Sequence, residues 1–122
     1  MRRRRPGDGD DRRAPQLSAL TDVGAAELED LLRREARLVL VEFWTPGCEP
    51  CRELRPRLRE LAERHSDVCV VAVDADGYPD AVQRHAVRVF PTLLFFKRGH
   101  ELHRLRGGAL PESTVELLEE PL

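Results

Sequence analysis

The sequence has 122 residues, of which 41% are hydrophobic, and this is enough for one domain folded around its own core. Charged residues make up 34% of the chain and the net charge is -2, so no basic excess favours binding to nucleic acid. Three cysteines are too few, and odd in number, for the disulfide framework of a small secreted module, so we expect a reducing, cytoplasmic location.

The first 16 residues are rich in arginine, aspartate, glycine and proline, and they offer almost nothing to bury. We expect residues 1–16 to form a disordered tail, because nothing would offset the entropy lost on ordering them. A single domain is expected over residues 17–122. No apolar run has the length of a signal peptide core or of a membrane span, so no membrane partner is expected.

Apolar periodicity predicts that the domain begins with a helix followed by a buried strand. Leucines recur at helical spacing within residues 20–37, and Thr21 or Asp22 is expected to cap this helix. Residues 38–44 are apolar at both odd and even positions, which predicts a strand covered on both faces. A second helix is expected to start at the cysteines, with a kink at Pro56.

The rest of the chain predicts another buried strand, a hairpin and two helices. Residues 68–74 predict a second strand buried on both faces, and residues 78–87 predict a short helix. Residues 93–97 and 101–106 are expected to pair as an antiparallel hairpin, and residues 111–120 to close the domain as a helix. A strand, helix, strand order implies a parallel pair, so the fold class is α/β, a central mixed sheet flanked by helices on both faces.

Two cysteines lie where the first buried strand ends and the second helix begins. At this junction the Cys48 sulfur lies near unpaired backbone N–H groups and the positive end of the helix dipole, and both favour the thiolate. Cys51 falls on an apolar stripe with Leu54 and Leu58 and should be shielded. The sequence therefore predicts an exposed nucleophile, Cys48, and a covered cysteine, Cys51, that resolves a mixed disulfide.

Two other kinds of site are compatible with these cysteines. Cys48 and Cys51 are followed by His65 and Cys69 at a spacing close to that of a zinc finger. Cys69 falls inside an apolar strand, however, where a small core residue is the simpler interpretation. A cysteine–histidine hydrolase is also conceivable, although no histidine lies in a recognisable partner motif. We expect no bound metal, with the zinc site as an alternative.

Three segments, VEFWTPGCEPCRELRPRL, VFPTLLFFKRG and RGGAL, together resemble the thioredoxin family in order and spacing. The resemblance covers roughly residues 17–120 and implies a thioredoxin fold that reduces protein disulfides with a dithiol. It also implies that no cofactor is bound and that electrons come from a thioredoxin reductase-like, flavin-containing donor. The expected partners are disulfide-containing proteins, and we expect the chain to be a monomer.

The resemblance assigns roles to individual residues. Cys48 aligns with the attacking cysteine of the family and Cys51 with the resolving one. Five other positions align with the proline between the cysteines, the tryptophan closing the strand, the helix-kinking proline, the cis-proline beside the active site and the glycine of the substrate-facing loop: Pro50, Trp44, Pro56, Pro91 and Gly108. Pro91 and the backbone of Phe90 are expected to present a short edge to the substrate chain.

Two residues next to the cysteines depart from the family's Trp-Cys-Gly-Pro-Cys pattern. Gly47 replaces the aromatic residue and Glu49 replaces the glycine. Glu49 disfavours a thiolate at Cys48, whereas Arg52, at a position where the family usually has lysine, favours it. These departures leave an alternative function, a protein–protein interaction module with a vestigial or specialised cysteine pair.

The family's buried aspartate is replaced by Glu42. Strand parity places Glu42 with Leu40 and Trp44, beneath the helices that cover the sheet. A buried carboxylate near Cys51 is expected to accept the proton of its thiol. The lysine that accompanies this carboxylate in the family aligns with Ala72, so its usual charge partner is expected to be absent.

Overall fold

The computed structural model of the chain describes residues 20–107 and 111–119, which form one five-stranded sheet with helices on both faces. The strands are β1 (Thr21–Asp22), β2 (Leu38–Trp44), β3 (Val68–Asp74), β4 (Thr92–Lys97) and β5 (His100–Arg106). The helices are α1 (Ala25–Arg34), α2 (Glu49–Arg64), α3 (Pro79–Arg84) and α4 (Glu112–Glu119). None of these helices, within the described ranges, is long and apolar enough to cross a membrane. The predicted tail and Gly108 lie outside the described residues.

The strand order in the sheet is β1-β3-β2-β4-β5. β1 and β2 both run parallel to β3, whereas β4 is antiparallel to β2 and β5 is antiparallel to β4. The predicted mixed α/β sheet is therefore confirmed, and β2 and β3 have the predicted bounds. Both strands are apolar at odd and even positions because they lie in the middle of the sheet and are covered on both faces.

Alternate residues of the central strands pack into two separate cores. Val39, Val41 and Phe43 of β2 face one core, which contains leucines of α1 and residues of and after α3. Leu38 and Leu40 face the other core, whose helical members come from α2 and α4. These members include the predicted α2 leucines, and all of them are buried: Leu54, Leu58, Leu61, Ala62 and Val115. The parity of a β2 residue therefore decides whether its side chain lies under α2.

The predicted cap of the first helix is wrong. Thr21–Asp22 forms the edge strand β1, and α1 is instead capped by Gly24, whose N–H donates to Oε1 of Glu27 at 2.8 Å. Without β1, the edge of β3 would expose unpaired backbone groups. The segment that contains β1 forms hydrogen bonds with them; for example, the Val23 N–H donates to the Ala72 carbonyl at 2.9 Å. A strand of two residues is too short to show the alternation by which sequence patterns reveal strands.

The predicted hairpin is confirmed, with a tighter turn than the sequence suggested. β4 and β5 are joined by two residues, Arg98 and Gly99, and both have positive φ, 51° and 83°. Positive φ at both central positions is the geometry of the two-residue turn that matches strand twist, and glycine adopts it without a steric penalty. The pairing of β4 with β2 places Thr92, the first residue of β4, beside Phe43 near the end of β2.

Candidate active site

The two cysteines of the CxxC motif are joined as a disulfide at the junction between β2 and α2. Cys48 is the N-cap of α2, and its Sγ accepts a hydrogen bond from the Cys51 N–H at 3.2 Å. The Cα atoms of Cys48 and Cys51 are 5.2 Å apart. Pro50 lies in the first turn, where a missing N–H costs the helix no hydrogen bond. The strand ends and the helix starts where the sequence predicted.

The two sulfurs lie in different environments. Cys48 is half-buried, whereas only 3% of Cys51 is exposed. The Cys48 sulfur lies at the helix N-terminus, next to the Cys51 N–H and the positive end of the helix dipole, and both of these favour a thiolate. The predicted difference in exposure between the two cysteines is therefore confirmed.

The predicted substrate-facing residues lie on the rim around Cys48 and at the start of β4. Gly47, Glu49 and Pro50 are exposed. The Phe90–Pro91 peptide bond is cis, with Phe90 half-buried and Pro91 buried. Pairing of β4 with β2 brings this segment level with the end of β2, from which the cysteine loop starts. Contact of these residues with a substrate stays a prediction.

The segment that follows β5 begins beside the same place. The Gly107 N–H donates to the Pro91 carbonyl at 2.9 Å. Gly108, the predicted substrate-facing glycine, is the next residue along the chain and lies outside the described residues.

Trp44 and Pro56 are the two residues that the family resemblance assigns to the support of the site. Trp44 ends β2 and is half-buried, and the Arg55 guanidinium carbon lies 5.4 Å from the centroid of its ring. The Trp44 Nε1 is buried and has no hydrogen-bond partner in the described part of the chain. Pro56 lies inside α2, on its exposed side, and lacks the N–H that would bond the Arg52 carbonyl one turn earlier. The kink at Pro56 stays a prediction.

Glu42 is fully buried on the side of β2 that faces α2, as strand parity predicted. Neither of its carboxylate oxygens has a hydrogen-bond partner among residues 20–107 and 111–119. Burial without compensating bonds disfavours the charged form and raises the pKa of Glu42 to about 7. The carboxyl can therefore both bind and release a proton near neutral pH.

An open cleft connects this carboxyl to the shielded cysteine. Its volume is about 440 Å³, and it is lined by Asp22, Glu42, Trp44, Thr45, Pro46, Cys51, Arg52 and Arg55. The structure thus brings the predicted acid–base residue and the predicted resolving cysteine to the same cleft.

Sequence reasoning missed two charged residues of this cleft, Arg55 and Asp22. Nη2 of Arg55 donates to both carboxylate oxygens of Asp22, at 2.8 and 2.7 Å. The positive charge of Arg55 lowers the pKa of Glu42 and the negative charge of Asp22 raises it, although burial has the larger effect. Ala72, which aligns with the family's lysine, lies opposite Glu42 on β3. The usual lysine is therefore absent, and the cation near Glu42 comes from α2 instead.

The sequence contained a signal for one of these two residues. Arg55 follows Cys51 by four positions in α2, so the two side chains share one face of the helix. Asp22 could not have been placed, because the segment that holds it was interpreted as the start of a helix.

The two charges expected to act on Cys48 from the first turn of α2 pair with each other. Nη1 of Arg52 donates to Oε1 of Glu49 at 3.1 Å, and both side chains are mostly exposed. Water screens exposed charges strongly, and the opposite effects of this pair on Cys48 largely cancel.

The structure contradicts the alternative zinc site. Cys69 lies on the face of β3 opposite to α2, in the core that contains Val39 and Phe43. Burial raises the pKa of its thiol to about 11, as expected for an inert core residue. His65 caps the C-terminus of α2, at the other end of the helix from Cys48. Nowhere in the described ranges do three histidine, cysteine or acidic side chains form a group able to hold a metal ion.

Comparisons with known proteins agree with this geometry. A family model described as Thioredoxin matches residues 19–120. The chain is 35% identical to glutaredoxin-3 of Homo sapiens over 103 residues, 83% of this chain and 31% of that protein. It is 41% identical to thioredoxin 1 of Synechococcus elongatus over 78 residues, 63% of this chain and 72% of that protein. The chain spans about a third of the length of the glutaredoxin-3 proteins that it matches.

Solved structures show the same similarity. A mutant thioredoxin from Halobacterium salinarum superimposes with a TM-score of 0.76 at 28% identity, covering 84% of this chain and 90% of that one. The thioredoxin of Fasciola hepatica gives a TM-score of 0.74 at 29% identity, covering 83% of this chain and 98% of that one.

Proposed function

This chain belongs to the thioredoxin family, and we propose that it reduces protein disulfides through Cys48 and Cys51. The observation that carries this proposal is the disulfide between a half-buried and a shielded cysteine at the N-terminus of a helix. Thiol–disulfide exchange needs one sulfur that a bulky substrate can reach and a second that only the first can reach. Cys48, at the helix terminus, meets the first requirement. Cys51, which is buried beneath the start of α2, meets the second.

The proposed reaction has two exchange steps. The Cys48 thiolate attacks one sulfur of the substrate disulfide, forms a mixed disulfide and releases the other substrate sulfur, which takes a proton from water. The Cys51 thiol then loses its proton and attacks the Cys48 sulfur. The second substrate sulfur leaves and is protonated, so the substrate gains two electrons and two protons while Cys48 and Cys51 close as a disulfide.

Glu42 is the proposed acceptor of the Cys51 proton. This role is supported by its position in the cleft that Cys51 also lines and by the absence of hydrogen bonds to its carboxylate oxygens within the described residues. A base is most effective when its pKa lies near the working pH, and burial raises the pKa of Glu42 to about 7.

We propose that substrates contact the exposed rim of the cysteine loop, at Gly47, Glu49 and Pro50, and the edge at Phe90 and Pro91. A Cβ added at Gly47 would meet no atom within 4 Å, so this side of Cys48 is open to a substrate chain. The loop that contains Gly108 is proposed to complete this surface, a role supported by the bond between its neighbour Gly107 and Pro91.

The oxidised pair has to regain two electrons before a second turnover, and we propose a separate thioredoxin reductase-like enzyme as their source. Reduction in the cell also requires a compartment that keeps thiols reduced. The cytoplasmic location therefore stays part of the proposal.

Counting thiols tests the proposed stoichiometry. The reduced protein should show three thiols after denaturation, and one after reaction with an excess of a disulfide-bonded protein, because only Cys69 stays outside the pair. The substrate should gain as many thiols as Cys48 and Cys51 lose. A chromogenic thiol reagent in denaturant measures both quantities.

The Cys69→Ala variant serves as the control, since its count should fall from two thiols to none. A reduced protein that keeps all three thiols in excess substrate disulfide would contradict the proposed function.

A further inference from the structure

Asp22 and Glu42 lie in one row across three neighbouring strands. In the parallel register, Asp22 is opposite Ala72 and Ala72 is opposite Glu42. Residues opposite each other in parallel strands point to the same face, and this face is the one covered by α2. Strand spacing puts the Cα atoms of the two acidic residues roughly 10 Å apart.

Arg55 reaches this row from the helix above. Its guanidinium donates to both oxygens of Asp22 and lies over the Trp44 ring, so it is held by an ion pair and by a cation–π contact. Its side chain is only 21% exposed, which limits screening by water. Although Arg55 lines the same cleft as Glu42, it makes no hydrogen bond to the Glu42 carboxylate.

We propose that Asp22 and Arg55 are positioning residues for the thiol chemistry: Asp22 holds the Arg55 guanidinium against Trp44, where it acts on Glu42 across the cleft without bonding to it. The inference rests on the proposed role of Glu42 in the reduction of disulfides. A guanidinium bonded directly to Glu42 would keep the carboxylate ionised and make it a weak base. With no cation in the cleft, burial alone would keep the carboxyl protonated at neutral pH and unable to accept a proton.

The other groups facing Glu42 do not replace this pair. The sheet neighbours of Glu42 on β3 and β4 are the apolar residues Ala72 and Leu93. From α2, the Cys51 sulfur is bound in the disulfide, and Arg52 is mostly exposed and paired with Glu49. Substitution of either residue of the Asp22–Arg55 pair should therefore change the titration of Glu42.

Substitutions of the two residues should move this titration in opposite directions. Arg55→Gln removes the positive charge, so the Glu42 midpoint should rise by about one pH unit. Asp22→Asn removes a negative charge and frees the guanidinium to approach the other carboxylate, so the midpoint should fall by a similar amount. Arg55→Lys keeps the charge and should restore most of the change. Arg59→Gln, an exposed arginine one turn further along α2, is the matched control and should change nothing.

The titration is measured by carbon-13 NMR of the glutamate carboxyl groups in the oxidised, full-length protein, with Glu42 assigned from the spectrum of Glu42→Gln. This readout needs no substrate, and an effect confined to folding would not produce shifts of opposite sign. Midpoints that stay unchanged in both Arg55→Gln and Asp22→Asn, or that move in the same direction, would overturn the inference.

Single-turnover kinetics with a fluorogenic disulfide peptide separate this inference from the proposed function. The pH at which resolution reaches half its maximal rate should follow the NMR midpoint in each variant. If the midpoints shift as expected but resolution is insensitive both to them and to Glu42→Gln, then the proposed role of Glu42 fails, and with it the role of the pair in the chemistry. If Glu42→Gln slows resolution while Arg55→Gln and Asp22→Asn leave its pH profile unchanged, the proposed function stands and the inference is overturned.

Discussion

The Cys51→Ser variant should accumulate a covalent mixed disulfide with a protein substrate, and Cys48→Ser should accumulate almost none. Only the sulfur of Cys48 is accessible to a bulky disulfide, because Cys51 is 3% exposed beneath the start of α2. Attack by Cys48 therefore proceeds in Cys51→Ser, while the missing second thiol prevents release of the adduct. Each reduced variant is incubated with a disulfide-bonded protein, and the adducts are separated on a non-reducing gel.

Two double variants make the result specific. Cys69→Ala/Cys51→Ser should trap as much as Cys51→Ser, since Cys69 lies in the core on the other face of the sheet. Cys48→Ser/Cys51→Ser should trap nothing. Equal trapping by the two single variants would contradict the assignment of Cys48 as the nucleophile. Partner binding that survives both reductant and the double substitution would instead favour the interaction module that Gly47 and Glu49 left open.

The sequence predicted the strands and the helix that form the site because their apolar residues recur in regular patterns. β2 and β3 are seven-residue segments in which six residues are apolar, and their bounds match the prediction. The apolar stripe of α2 fixed which cysteine is shielded, and the parity of β2 fixed the burial of Glu42. Each of these features depends on residues close together in sequence, where periodicity is informative.

The electrostatics of the cleft depend on contacts that no local pattern reveals. Asp22 and Arg55 are 33 residues apart, and they meet only because β1 joins the edge of β3 beneath α2. Its spacing from Cys51 places Arg55 on the same helix face as that cysteine, but no local pattern shows that Arg55 pairs with Asp22. Charged surface residues acquire specific roles through tertiary placement, so this part of the site could be found only in three dimensions.

Glu42→Gln should make the protein more stable at neutral and alkaline pH and leave its stability almost unchanged in mild acid. Burial raises the pKa of Glu42 from 4.5 to about 7, so the folded protein holds this proton up to about pH 7, whereas the unfolded chain releases it above about pH 4.5. Between these values the folded state binds more protons, and its stability therefore falls as the pH rises. The shift corresponds to about 3 kcal/mol lost by the time the pH exceeds 7. Glutamine does not titrate, so the variant escapes this loss.

Urea unfolding of the oxidised proteins at pH 4.5 and pH 8 measures the effect. The difference in the free energy of unfolding between Glu42→Gln and the unmodified protein should grow by about 3 kcal/mol between the two pH values. Glu53→Gln, the same loss of one carboxylate at an exposed position of α2, is the matched control for this comparison. A stability difference for Glu42→Gln that is equal at both pH values would show that Glu42 is not the destabilising group. A carboxylate that weakens the fold at neutral pH does not serve to hold it together, and its position in the cleft that Cys51 also lines supports its proposed role as a proton acceptor.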